Sequence, residues 1–75
     1  MTNKIYPHET KFTRAQHKNL AKIKVQGDRW CKHHCLDLHD SKMLFNESGE
    51  DCVIFYFRSD SDLTAFRIGF DIYDL

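Results

Sequence analysis

Apolar positions are densest at Cys52–Phe57, where six apolar or aromatic residues follow one another. A run of this length between polar segments predicts a buried strand. The apolar residues 43–45 predict a strand before it, and Gly49 in the polar segment 47–50 suits a tight turn between the two. We therefore expect the two strands to form an antiparallel hairpin.

A helix-start signal follows the buried run directly. Ser59 or Asp60 is a residue type that caps helices, because its side-chain oxygen accepts a hydrogen bond from a free backbone amide. Leu63, Phe66 and Phe70 then recur at a spacing that places them on one helical face. This pattern predicts a second helix that buries its aromatic side against the sheet, and residues 72–75 predict an optional short edge strand after it.

The first half of the chain carries conflicting periodicities. A capping-box pattern beginning at Thr13 predicts one short helical turn. Apolar residues then alternate with lysines over residues 20–26, which predicts a strand with one solvated face. Gly27 and Asp28 predict the end of that strand and the beginning of a helix over residues 29–39.

The predicted order of elements is β-α-β-β-α with an optional last strand. We therefore expect a single small α+β domain with a ferredoxin-like split β-α-β arrangement, an antiparallel-rich sheet and two helices on one of its faces. Residues 1–12, which Pro7 interrupts, are expected to form an N-terminal arm, and residues 13–75 the domain.

The neutral net charge conceals an uneven distribution along the chain. Residues 1–39 contain eight Lys or Arg, three Asp or Glu and all five histidines, whereas residues 40–75 contain three Lys or Arg and eight Asp or Glu. If the two halves segregate in space, the domain has a dipole that steers its association with a partner.

Three cysteines in a short chain do not make the paired framework of a small secreted domain. We therefore expect a reducing compartment, the cytoplasm. Neither a signal peptide nor a membrane-spanning segment is expected, since the longest apolar run is far shorter than the roughly 20 residues that span a bilayer.

The segment 52–70 has one resemblance to known proteins. Phe55-Tyr56-Phe57, followed by Asp60 and then by Phe66 and Phe70, resembles the aromatic strand, acidic cap and aromatic helix of small orphan proteins of tailed bacteriophages. The resemblance implies an accessory or inhibitor protein that acts on a host protein in the host cell cytoplasm.

A cluster of cysteines and histidines raises two chemical alternatives. Cys31, Cys35 and His39 are spaced for one face of the expected helix, and thiolate with imidazole suits zinc. Alternatively, Cys35 could act as a nucleophile with His34 or His39 as its base. No second ligand pair and no catalytic motif accompany them, so buried thiols are the favoured interpretation. We expect no metal, no cofactor and no enzymatic activity.

A protein-binding surface is the favoured function for a small aromatic-rich domain without a pocket motif. An acidic loop could occupy a basic groove of the partner, and tryptophan, arginine and tyrosine are frequent interface anchors. The expected partner-binding residues are Glu47, Glu50, Asp51, Arg29, Trp30 and Tyr73. A homodimer is also compatible with so small a domain.

Nucleic-acid binding is the alternative function. On the predicted strand over residues 20–26, Lys22 and Lys24 would lie on the open sheet face, where Tyr56 could stack on a base. Lys32 belongs to the same basic half of the chain.

Overall fold

The structure, a computed structural model, describes residues 5–45 and 50–70 of the chain. Its three strands form one antiparallel sheet in the order β1-β3-β2, and both outer strands run opposite to β3. This confirms the α+β class and agrees broadly with the split β-α-β arrangement. The elements are β1 (His8–Thr13), α1 (Leu20–His34), β2 (His39–Leu44), β3 (Cys52–Phe57) and α2 (Asp60–Gly69). The optional strand over 72–75 and most of the predicted turn at 47–50 lie outside the described residues.

Both helices pack on one face of the central strand. Val53, Phe55 and Phe57 are fully buried there, and Leu63 and Phe66 of α2 belong to the same core. This confirms the sequence prediction for β3 and for the buried side of α2. The residues that α1 adds to this core are Leu20, Ile23 and Cys31.

Phe66 lies at the centre of the aromatic packing. Its ring centroid is 4.9 Å from that of Phe55, 5.2 Å from that of Phe57 and 4.8 Å from that of Phe70. Ser59 caps the helix that carries it, since the Ser59 hydroxyl oxygen accepts from the backbone amide of Asp62 at 3.4 Å. The core depends on this one side chain more than on any other of α2.

The first helix begins earlier than the sequence predicted. Residues 20–26 are not a strand, because α1 runs from Leu20 through this segment to His34. Its buried residues Leu20, Ile23, Gly27 and Cys31 follow the helical period, and this pattern outweighs the alternation of apolar residues with lysines. The helix predicted over 29–39 is correct only for residues 29–34, which are the end of α1, since His39 begins β2. The turn predicted from Thr13 is present, because the Thr13 carbonyl oxygen accepts from the backbone amides of Gln16 at 3.1 Å and His17 at 2.9 Å, but it does not extend into a short helix.

Gly27 lies inside α1 and does not end it. A side-chain carbon at this position would overlap with the buried ring of Phe55. The absence of a side chain therefore lets the helix backbone approach the sheet closely, which offsets the poor helix propensity of glycine.

A polar cluster fixes the same stretch of α1 to β2. The Lys24 ammonium donates to the Asp28 carboxylate at 2.9 Å and to the Ser41 hydroxyl at 3.2 Å. The Ser41 hydroxyl in turn donates to Asp28. Asp28, expected as a helix cap, is thus a bridging residue, and the N-cap is Asn19, which accepts from the backbone amide of Lys22.

The N-terminal segment is part of the sheet. Residues 8–12 were expected in an arm, but they form β1 and pair in continuous register with β3, from His8 opposite Phe57 to Thr13 opposite Cys52. Pro7 precedes the strand, where its missing amide costs no ladder hydrogen bond.

Asp62 joins α2 to the connection between α1 and β2. Its side chain is 4% exposed, and its two carboxylate oxygens accept from the backbone amides of Leu36 at 3.1 Å and Asp37 at 3.0 Å. Its position in the first helical turn also suits the positive end of the α2 dipole.

Replacing Phe66 with alanine tests the core. We expect Phe66→Ala to reduce the free energy of unfolding by about 3–5 kcal/mol, because it removes a fully buried ring. Ile68→Ala on the same helix is the control, since Ile68 is 82% exposed. Urea unfolding monitored by circular dichroism measures both. Equal stability of the two variants would contradict the packing of α2.

Replacing Asp62 with asparagine tests the link between α2 and the α1–β2 connection. An amide group must turn one N–H donor towards a backbone amide that also donates, so Asp62→Asn should cost about 1–3 kcal/mol of unfolding free energy. Asp60→Asn, at an exposed position of the same turn, is the matched control and should cost much less. Faster amide exchange at Leu36 and Asp37 in the Asp62 variant alone would identify the lost bonds.

Candidate functional site

One face of the sheet is covered by neither helix. The register places nine side chains on it, because directly opposed residues on antiparallel strands point to the same side. We call this surface the open face. Its residues are Glu9, Lys11 and Thr13 of β1, Cys52, Ile54 and Tyr56 of β3, and Asp40, Lys42 and Leu44 of β2.

Charges on the open face form two rows across the strands. Glu9 and Asp40 flank Tyr56 in the row that we call the acidic row. Lys11 and Lys42 flank Ile54 in the adjacent lysine row. Alternate residues of a strand are about 6.6 Å apart, so the two rows lie side by side with opposite signs.

The rows arise from a residue pattern that occurs twice in the chain. β1 reads His-Glu-Thr-Lys-Phe-Thr and β2 reads His-Asp-Ser-Lys-Met-Leu, so histidine, acid, hydroxyl, lysine and an apolar residue follow in the same order. Both strands pair with β3 in the same register, with His8 and His39 opposite Phe57. This repeated pattern is the signal in the sequence that could have revealed the site.

The centre of the open face is apolar and shielded. Ile54 is only 9% exposed and Cys52 only 5%, although no helix covers them. Lys11 and Lys42 lie directly opposite Ile54 on the two outer strands, and long charged side chains typically lie along apolar surfaces while the ammonium group stays in water. A partner would meet the half-buried Tyr56 and, beside it, an Ile54 that is largely covered.

Tyr56 is the aromatic residue of the open face. Its ring centroid is 6.3 Å from that of Tyr6, which approaches from the segment before β1. Burial raises the pKa of the Tyr56 phenol, and the negative charges of Glu9 and Asp40 raise it further. The phenol therefore remains a neutral hydrogen-bonding group between two carboxylates.

The lysines expected beside Tyr56 lie elsewhere. Lys22, Lys24 and Lys32 are on α1, which packs against the opposite face of the sheet, so the structure does not bring them to Tyr56. Lys24 is also engaged with Asp28 and Ser41. The prediction failed because it depended on the strand over 20–26, and the lysines beside β3 are Lys11 and Lys42.

Most of the expected anchor residues are also dispersed. Trp30 is half-buried between the helices, with its ring centroid 5.3 Å from that of Phe66, and Arg29 is exposed on α1. Glu50 is exposed, whereas the Asp51 carboxylate binds the Arg14 guanidinium at 3.1 Å. Glu47 and Tyr73 lie outside the described residues.

Cys31 is buried in the core and Cys35 packs against it, half-buried. Burial raises the pKa of Cys31 and of Cys35, and the neighbouring Cys35 sulfur raises that of Cys31 further. Cys52 lies on the opposite side of the sheet. Among residues 5–45 and 50–70, no three His, Cys, Asp or Glu side chains are grouped to hold a metal ion, so Cys31, Cys35 and His39 are not assembled as zinc ligands.

Comparison with known proteins adds no assignment. No family model, no curated protein and no solved structure matches the chain. The class that fold and site define is a small α+β domain with one open, charge-patterned sheet face.

The position of Tyr56 between carboxylates has a measurable consequence. In Glu9→Gln the pKa of the Tyr56 phenol should move down towards its ordinary value, because a negative charge no longer opposes the phenolate. Asp37→Asn, which removes a carboxylate that does not influence Tyr56, is the control. Titration of the ring carbons by NMR separates the tyrosines. An unchanged Tyr56 pKa in Glu9→Gln would contradict the arrangement of the acidic row.

Proposed function

We propose that the protein is a non-enzymatic protein-binding module and that it binds through the open face. The observation that carries this is the strip of Tyr56 and Ile54 on β3, which has one acid and one lysine on each side. Interfaces typically combine an apolar centre with a polar rim, and tyrosine is enriched at their centres. The partner surface we infer is apolar at its middle, with acidic residues facing the lysine row and basic residues facing the acidic row.

Nucleic-acid binding is the second candidate, and Tyr56 with the lysine row is the feature that favours it. A base could stack on Tyr56 while Lys11 and Lys42 contact phosphates. The charge pattern weighs against this function, because Glu9 and Asp40 flank the same ring and repel a phosphate backbone. The four charges of the two rows also cancel, so the face lacks the positive potential of a nucleic-acid site.

The setting of this function is part of the proposal. Among the described residues, neither helix has the length and apolar character needed to cross a membrane. All three cysteines are free thiols, which suits the reducing cytoplasm. We further propose that the partner is a host protein whose activity the domain modulates or inhibits, as the resemblance of residues 52–70 to small phage proteins implies.

A capture experiment with matched charge reversals tests the proposed function. Immobilised wild-type protein should retain a discrete protein from a nuclease-treated lysate. An untagged copy of the chain counts as such a protein if the lysate contains one. Lys11→Glu with Lys42→Glu should reduce the retained amount at least tenfold, because the partner's acids then face acids. Lys22→Glu with Lys32→Glu makes the same charge change at exposed positions of α1 and should retain it.

A titration with a single-stranded oligonucleotide completes the test. We expect no binding at physiological salt by fluorescence anisotropy. The proposal fails if the oligonucleotide binds and the open-face reversal abolishes that binding, or if retention of the protein is lost equally in both double variants.

A further inference from the structure

The open face is complementary to itself. Each row carries one sign of charge on both outer strands, with acids at Glu9 and Asp40 and lysines at Lys11 and Lys42. We propose that the open face binds the open face of a second copy of this chain, about a twofold axis that runs across the strands. This inference rests on the proposed function and adds a second occupant of the same face, with which a host protein would compete.

The direction of the axis follows from the charges. A twofold contact pairs the same surface on both copies, so each contact between two different residues occurs twice. An axis parallel to the strands would place Glu9 against Asp40 of the second copy and Lys11 against Lys42, and like charges would repel. An axis across the strands places Glu9 against Lys11 of the second copy and Asp40 against Lys42.

The centre of the face is compatible with this axis. The axis passes between the two rows, so Tyr56 meets Ile54 of the second copy and Ile54 meets its Tyr56. An aromatic ring against a branched aliphatic side chain is a favourable pair across packed sheets, which lie about 10 Å apart. Four ion pairs then surround two apolar contacts, and no charge on either row is left facing its own sign.

The size of the face sets the expected affinity. The plane measures about 14 by 20 Å, because strands lie about 4.8 Å apart and each residue advances about 3.3 Å. A standard interface buries about 800 Å² on each partner, well above what this plane offers. We therefore expect a dissociation constant between about 1 μM and about 1 mM. The affinity should fall with added salt, because the ion pairs lie at the rim.

Self-association of the purified full-length chain is the first measurement. Sedimentation equilibrium from about 1 μM to about 1 mM should show a monomer–dimer equilibrium. The dimer should dissociate more readily when salt rises from about 0.05 M to about 0.5 M. A monomer at every concentration would overturn the proposal.

Separating the charges onto two variants gives the decisive test. An acidic variant carries Lys11→Glu with Lys42→Glu, and a basic variant carries Glu9→Lys with Asp40→Lys. Each should self-associate at least tenfold more weakly than wild type, while an equimolar mixture should form a heterodimer. Lys22→Glu with Lys32→Glu on α1 is the control and should dimerise like wild type, with circular dichroism establishing that each variant is folded.

Exchanging the two rows tests whether the alternation of sign drives the association. The quadruple variant with all four substitutions keeps two rows of opposite sign and should recover self-association. Its mixture with wild type is not informative about the axis, because the two chains are complementary about an axis parallel to the strands. A mixture of the acidic and basic variants without heterodimers, or a quadruple variant that stays monomeric, would overturn the proposal.

The outcomes also separate this inference from the proposed function. A monomeric chain that captures another protein through the open face refutes the second copy and keeps the protein-binding function. Oligonucleotide binding by the open face refutes both.

Discussion

The packing of Phe55 on the backbone of Gly27 is the contact on which the architecture depends. The ring occupies the space where any other residue of α1 would place its side chain, so the helix lies closer to β3 than a helix with a larger residue at this point could. Because α1 lies close to β3 at Gly27, Lys24 and Asp28 reach Ser41 of β2. These hydrogen bonds attach α1 to a second strand. A domain this small buries a limited fraction of its surface, and a close helix–sheet contact offsets part of that deficit.

Because both helices use the same side of the sheet, the other side is left to the strands themselves. Ile54 and Cys52 are nevertheless buried there, each directly opposite one residue of β1 and one of β2. Apolar residues on the middle strand and charged residues on the outer strands keep such a face in water without a helix to cover it. The same arrangement produces a patterned binding surface. The charged residues that make the face compatible with solvent therefore also determine which partners it can bind.

The second half of the fold was predictable, because its signals agree with one another. The apolar run of β3, the Ser59 cap and the spacing of Leu63 and Phe66 all indicate a strand followed by a helix. The alternation of residues on β3 also placed Tyr56 correctly on the face away from the helices. These features are local, and tertiary packing only reinforces them.

The fold of the first half of the chain was not predictable, because Gly27 lies inside a helix. Glycine is a poor helix former, so a sequence interpretation that treats it as a breaker divides α1 into a strand and a later helix. Only the position of Phe55 explains why glycine is required within a helix there, and that contact joins residues far apart in sequence. The error moved Lys22 and Lys24 onto a strand and concealed Lys11, although the pattern His-acid-hydroxyl-Lys repeats in β1 and β2.

The charge split along the sequence does not become a charge split on the open face. Glu9 and Lys11 come from the basic half of the chain, whereas Asp40 and Lys42 come from the acidic half, yet each row takes one residue from each half. Both outer strands pair with β3 in the same register, so each row contains residues from both halves of the chain. Over distances longer than the spacing of the rows their fields cancel, so this face offers little long-range steering. Its selectivity must come from short-range contacts, in which the charges of the partner surface either pair with the two rows or repel them.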